Sequence, residues 1–380
     1  MKITGFEVRV VEIPMRVAVQ HALAERNVAR NVLVRAVDDE GREGWGESCP
    51  REYVTGETLE SVQADLLETI LPGLVGIELS SFEEASALLL ARLDTLRRNQ
   101  HAAFCAAELA VLDLLGHALE RSCGEVVGPV AADPVVYSGV VASTSAKGAA
   151  HYAQGLEQHG LSIIKVKLVE SLELNRELLQ VVRDILGDEA RLRVDANAAW
   201  SAAEAMRQLE ALADFQLEGV EQPLAADDRQ GHIELTAAGL VPVVVDETLV
   251  SLEDAQRLVG DRGCDVFNLR ISKNGGLCNA ARLHRLATEA GLRCQLGAQV
   301  GETSLLSAAG RQLATRCGDL LWLEGSFGEL LLEEDPFEPT IAFGAGGRAP
   351  ALTTPGLGTR PESARVEALT ISHHTLTPKP

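Results

Sequence analysis

From Asp133-Pro134 onward the chain alternates between two kinds of segment, and that alternation limits its possible folds more than any other feature. Strand-like runs, apolar and bounded by turn residues, fall at 135–141, 162–168, 191–195, 218–221, 241–246, 265–269, 292–296 and 320–324, with helical stretches between them. Ser201 with Glu204 and Ser251 with Asp254 have the spacing of reciprocal helix caps. The period is about 25 residues, enough for one strand, one helix and two short loops. Eight strands joined this way predict an α/β architecture, a modified (β/α)8 TIM-like barrel spanning 131–339. An open doubly wound sheet is the alternative. No GxGxxG follows the first strand to support it, and Gly344-Ala345-Gly346-Gly347 lies past the last one.

Residues 1–130 have a different pattern. Residues 2–13 alternate as a strand, and 31–37 with 43–48 form a hairpin around Asp38-Asp39-Glu40-Gly41. The polar stretch 15–30, with His21, Arg26 and Arg30, reads as a loop. So does 48–58, with Pro50, Arg51, Tyr53 and Gly56. Helices are predicted over about 57–71, 81–97 and 101–119, the second opened by Ser81 and Glu84. Three strands followed by three helices make a small α+β domain, which the Gly- and Pro-rich tail 340–380 is expected to complete.

Within the predicted barrel, Ile163-Ile164-Lys165-Val166-Lys167-Leu168 places Lys165 and Lys167 two apart on a strand, hence on one face. Taken alone, a Lys-x-Lys reads as two solvated lysines on an edge strand. On a core strand two neighbouring ammonium groups are costly unless something faces them. Three later strands end in acids: Val194-Asp195-Ala196-Asn197, Gly219-Val220-Glu221-Gln222 and Val245-Asp246-Glu247. A fourth ends near Lys273. Any one strand-end acid is ordinarily a cap or turn former. Spaced at the barrel repeat, Asp195, Glu221 and Asp246 reach the same mouth, where such barrels carry out chemistry. Carboxylates converging there repel one another, and a hard divalent cation relieves the conflict. All-oxygen donors favour Mg2+, with Mn2+ as the substitute. Lys167 and Lys273 then face each other across the acids, a layout for removing and returning a proton beside a carboxylate. Lys165 is the neighbouring cation that favours a neutral base on Lys167.

Composition excludes several partners. With 34 Lys and Arg against 55 Asp and Glu, the formal charge of −21 argues against nucleic acid and anionic membranes, though not against a small anionic substrate. Neither a long apolar run nor a signal-peptide pattern is evident. The seven cysteines are scattered without a CxxC, so reduced thiols and a cytoplasmic setting are expected.

Lys-Val-Lys at 165–167, Asp-Ala-Asn at 195–197, Glu-Gln-Pro at 221–223, Asp-Glu at 246–247 and Lys-Asn-Gly-Gly at 273–276 together resemble the enolase superfamily, its muconate-lactonizing subgroup in particular. Trp45-Gly46-Glu47, Thr55-Gly56-Glu57-Thr58 and Pro355-Gly356-Leu357-Gly358 are similar to that family's capping-domain and tail segments. The resemblance implies Asp195, Glu221 and Asp246 as metal ligands, with Asn197 and Glu247 supporting them. It implies Lys167 and Lys273 as acid and base, and Lys165 as their electrostatic partner. It also implies a small carboxylate substrate and a homo-oligomer. The mandelate-racemase subgroup uses a late histidine; here His232 and His284 fall in helical stretches and read as surface or packing residues. The segment 322–332 is similar to the last strand of cycloisomerases, with its acid displaced by one position. A muconate-cycloisomerase-like lactonisation of an unsaturated dicarboxylate is therefore the leading expectation. A racemase or epimerase of an amino acid derivative or dipeptide is the second, supported by the likeness of 50–58 to such enzymes, although the Asp-x-Asp they use on the last strand is missing. A dehydratase of the o-succinylbenzoate type is the third. His21, Arg26, Arg51 and Tyr53 in the capping loops, with Glu302 and Glu324 in the barrel, are candidate substrate contacts.

Overall fold

The N-terminal region builds a sheet from strand β1 (Ile3–His21), β2 (Ala24–Asp38) and β3 (Glu43–Ser48), then packs helices against it. The computed structural model describes residues 1–21 and 24–377, with side chains outside 17–26. The helices are α1 (Glu52–Thr55), α2 (Leu59–Asp65), α3 (Phe82–Leu93) and α4 (His101–Leu119). Helix α4 is apolar around nearly its whole circumference, which requires burial on all sides. The span Arg98–Leu119 is long and apolar enough to cross a membrane, but 83% of that window is buried within the protein. Strand β3 lies directly on the α4 backbone: a Cβ on Gly46 would fall 2.0 Å from Ala106 O, so only glycine fits.

The expected loop at 15–30 is instead a β-ribbon over its described residues, 15–21 and 24–30. Strands β1 and β2 continue past the sheet with Pro14 opposite Val28 and His21 opposite Ala24. Its two arms satisfy each other's backbone groups, so polar side chains do not break it. No Asn-Gly or Asp-Gly turn announces this extension in the sequence.

After β4 (Val135–Val136), the chain enters the repeat. It runs β5 (Gly139–Val141), α5 (Ala146–Gln158), β6 (Ile163–Lys167), α6 (Leu172–Leu186), β7 (Arg191–Asp195), α7 (Ala202–Ala211), β8 (Val220–Glu221) and α8 (Arg229–Ala238). It continues through β9 (Val243–Val245), α9 (Leu252–Asp261), β10 (Val266–Leu269), α10 (Leu277–Glu289), β11 (Arg293–Leu296) and α11 (Ser304–Cys317). The strands form one seven-stranded sheet, parallel throughout, in the order β11-β10-β9-β8-β7-β6-β5. The Ser201 and Ser251 caps are both made, the latter as a full capping box with Asp254.

The expected eighth strand at 320–324 is not a ladder strand. It closes the barrel as an irregular segment joined to both edges. Leu321 N donates to Cys294 O at 2.8 Å and Glu324 N to Leu296 O at 2.8 Å, while Ser138 N donates to Leu323 O at 2.8 Å. Outward positions such as Ile164, Val166, Leu192, Val194 and Val220 share a core with Leu178, Val182, Ala205 and Leu209 of the surrounding helices. Each such side chain, fully buried, contributes roughly 1.5–3 kcal/mol. The alternate, inward positions remain for polar groups. The C-terminal strand Thr370–Leu376 returns to pair with β1.

Candidate active site

The sheet order puts β7, β8 and β9 between β6 and β10, so the elements carrying the three acids are flanked by those leading to the two lysines. Register aligns Lys167 with Asp195, and Asp195 with Glu221. Lys165 and Lys167 share a face, since both reach Asp195 Oδ2, at 3.5 and 3.8 Å. Lys165 Nζ also lies 3.1 Å from Glu221 Oε2 and 3.0 Å from Glu324 Oε2. Burial would pull its ammonium down, but Glu221, Glu324 and Asp195 outweigh that and hold it above the ordinary lysine range. Lys165 is therefore a fixed positive charge. Lys167, 21% exposed as a side chain, makes one hydrogen bond among the described residues, donating to Asn197 Oδ1 at 3.1 Å. Asn197 also clasps Asp195, its backbone N donating to Oδ1 at 3.0 Å and its amide to Oδ2 at 3.2 Å.

Lys273 is held quite differently. It is fully buried and donates to Asp246 O, Asp246 Oδ1 and Asn268 O, each at 2.8 Å. Burial pulls its ammonium down from the ordinary lysine range; Asp246 opposes this and Arg270 reinforces it. Arg270 was not anticipated from sequence. Its Nη2 donates to Asp246 Oδ2 and lies 3.5 Å from Glu221 Oε1.

Asp195, Glu221 and Asp246 are thus linked pairwise by shared cations, Lys165 on one side and Arg270 on the other. Among the described residues, no three acid, His or Cys side chains form a ready cage for a metal. The donor chemistry nonetheless suits a hard dication. Burial, and then the charge of Glu221, push the Asp195 carboxyl up. Burial and the charge of Asp246 push Glu247 up to about 8. Glu247 Oε2 is buried with no hydrogen-bond partner among the described residues. Asp195 and Glu247 are costly to keep as anions where they sit, and the donors are all oxygen, so the residues fit Mg2+ or Mn2+.

Other residues that the sequence reading missed are polar groups on inward strand positions. Asn268 Nδ2 and Gln295 Nε2 donate to Glu221 at 2.9 and 2.8 Å; against burial, Lys165, Arg270 and Arg193, with Gln295, hold its carboxyl well below the usual range. Arg193 donates to Glu324 and, at 3.1 Å, to Ser138 Oγ, with its guanidinium over the Trp322 ring. The signal was present: Leu-Arg-Val, Phe-Asn-Leu and Cys-Gln-Leu each set one polar residue between apolar ones on a core strand.

The candidate substrate contacts fare unevenly. Glu324 is taken up by Lys165 and Arg193 rather than offered to a ligand. Glu302 does not touch Lys273; it accepts from Gln299 N at 2.6 Å, and burial pushes its carboxyl up to about 8. Arg51, expected as a substrate contact, has its guanidinium engaged within the protein. It is 2% exposed, with its guanidinium donating to Pro50 O at 2.6 Å, to Cys49 Sγ at 2.9 Å and to Val300 O. Its interior position comes from anchoring the loop onto the barrel. Tyr53 is 38% exposed on α1. The side chains of His21 and Arg26 lie outside the described residues. His232 sits buried in α8, 3.4 Å from Thr248 Oγ1, and His284 in α10 pairs with Asp319 at 2.7 Å.

An antiparallel capping domain beside a parallel barrel, with acids and lysines on the barrel's strand ends, defines an enolase-type isomerase. Two family profiles match: the mandelate racemase/muconate lactonizing enzyme N-terminal domain over 4–128 and the enolase C-terminal domain-like family over 148–365. The chain belongs to the mandelate racemase/muconate lactonizing enzyme family of the enolase superfamily. It is similar to an N-succinyl-L-Arg/Lys racemase from Bacillus cereus, 26% identical over 83% of this chain and 84% of the relative. It is also similar to muconate cycloisomerase 1 from Pseudomonas putida, 29% identical over 80% of this chain and 81% of the relative. The solved dipeptide epimerase of Enterococcus faecalis with Mg and L-Leu-L-Tyr superposes with a TM-score of 0.86 at 26% identity, covering 94% of this chain and 99% of that one.

Proposed function

We propose that this isomerase racemises or epimerises an amino acid derivative by proton transfer between Lys167 and Lys273. The observation that carries the reading is the placement of these lysines on either side of the strands bearing Asp195, Glu221 and Asp246. The amino acid derivative and dipeptide racemases and epimerases among its relatives support this chemistry over lactonisation.

Asp195, Glu221 and Asp246 would hold Mg2+, or Mn2+ in its place, with Asn197 and Glu247 supporting them. Held there, it would supply a Lewis acid for a substrate carboxylate and for the negative charge that develops as the α-proton leaves. One lysine, in its neutral form, removes that proton, and the ammonium of the other returns one to the opposite face. Burial favours the neutral form of Lys273 at the moment it must accept. Lys165 remains charged and stabilises the developing anion from the strand beneath.

The test is incubation with Mg2+ in deuterated water of N-succinyl-L-arginine, L-Ala-L-Glu and cis,cis-muconate, followed by proton NMR. Deuterium entering the α-position with inversion is the expected result for one of the first two. Chelation should abolish it and added Mg2+ or Mn2+ restore it. Absence of α-exchange from a broad panel of N-acyl amino acids and dipeptides would overturn the reading. A second reading, lactonisation of an unsaturated dicarboxylate, is favoured by Glu324: taken up by Lys165 and Arg193, it offers no free acid for a substrate ammonium. Lactone from muconate would establish it.

A further inference from the structure

We propose that Glu108 of the capping domain is a positioning residue for Lys273, an inference that rests on the two-lysine reading above. Lys273 lies in the turn between β10 and α10. Helix α10 begins after Gly276, a residue without a side chain to cap it. The missing cap is supplied from the other domain. Glu108, buried in α4, accepts from Leu277 N and Cys278 N, both at 2.8 Å. These are the first backbone donors of the helix, which otherwise have no intrahelical partner. The approach is built into the backbone: Gly276 has φ +111°, and a Cβ there would lie 2.1 Å from Glu108 Oε2.

The same turn is gripped at other points from the same domain. Cys49 N donates to Ser272 Oγ at 3.0 Å, and a Cβ on Gly275 would meet Leu93 at 2.9 Å. Arg98 reaches the adjoining loop, its Nη2 donating to Glu247 O at 2.8 Å. None of these groups touches Lys273 itself. They fix both ends of a turn of a few residues whose central side chain must meet Asp246 O, Asp246 Oδ1 and Asn268 O simultaneously. Small displacements of a proton-transfer group are costly in rate, so the cap on α10 sets how well Lys273 reaches the reacting carbon. On the other side, α6 after Lys167 is capped locally, Ser171 accepting from Leu174 N.

Glu108→Gln in the full-length enzyme tests this, because it keeps the side-chain shape while turning one acceptor into a donor facing the helix N–H groups. Two readouts are needed. In hydrogen exchange by mass spectrometry, which requires no substrate, the amides of 271–278 should exchange about tenfold faster while those of 163–175 stay unchanged. In deuterated water with Mg2+ and each enantiomer of N-succinylarginine, the faces are assigned with Lys167→Ala and Lys273→Ala. Washing-in at the face served by Lys273 should then slow about tenfold, with the Lys167 face within twofold. Unchanged exchange at 271–278, or equal slowing at both faces, overturns the proposal. If the wild-type enzyme exchanges no α-proton in any probe, the proton-transfer reading fails instead, and the amide exchange still decides whether Glu108 holds the turn.

Discussion

The two lysine-bearing halves of the site are built on opposite plans. Lys167 projects from the C-terminal end of β6, a paired strand of the parallel sheet, partly open to solvent, with one hydrogen bond among the described residues and a following helix capped by its own neighbour Ser171. Lys273 is fully buried in a turn, held by three acceptors and fastened at both ends by the capping domain. Ladder pairing already fixes where a strand residue points, so the barrel alone can present Lys167. A turn has no ladder, and its side chain is only as well placed as whatever grips its ends. The capping domain is therefore part of one half of the site and a neighbour to the other.

The sharpest way to break this contrast is to remove each lysine in turn. Either Lys→Ala variant should lower turnover by about 10²- to 10⁴-fold, each sparing exchange at the opposite face. Stability should divide them. Lys273→Ala leaves the buried Asp246 carboxylate facing Arg270 alone and takes a donor from the Asp246 and Asn268 carbonyls, at a cost of roughly 3–5 kcal/mol. Lys167→Ala, at a partly exposed position, should cost less than about 1 kcal/mol. Urea unfolding measures both, and equal losses would erase the distinction.

A smaller effect comes from acid. His101 opens α4, lies against the Gly275 turn and is bonded to the Val250 backbone; burial holds its imidazole at about 4 rather than the usual 6.5. The unfolded chain then binds the extra proton between those values. Stability from this group is complete above about pH 6.5, falls as the pH drops, and has lost roughly 3 kcal/mol by about pH 4. His101→Leu should flatten that part of the stability–pH curve, and an unchanged slope would remove the residue from the account. Least of all, Arg98→Ala should cost about 0.5–1 kcal/mol and slow Lys273-side exchange less than threefold, as measured by thermal melting and isotope wash-in.

The strand repeat, the three acids and the lysines were legible because each sits at a fixed phase of a pattern with period two nested in a longer one. What escaped was whatever depends on a partner distant in sequence. Arg193 sits within β7 and Arg270 directly after β10, and only the closed barrel shows which acids they meet. Arg51 was a candidate substrate contact on a loop, and its backbone acceptor Val300 could not be foreseen because it is far along the chain. The ribbon at 15–30 and the irregular closing segment diverge from expectation for a common reason. Their backbone bonds are made to elements that local composition does not reveal.

That closing segment has a consequence for how such an enzyme can change its diet. Moving a side chain on any of the other staves means sliding a whole ladder by two residues and dragging its neighbours along. The stretch around Glu324 is stitched at a few points instead, and Gly325 and Ser326 directly after it already adopt positive φ, +117° and +56°. A one-residue insertion or deletion there can relocate an acid within the barrel while the proton-handling machinery opposite stays put.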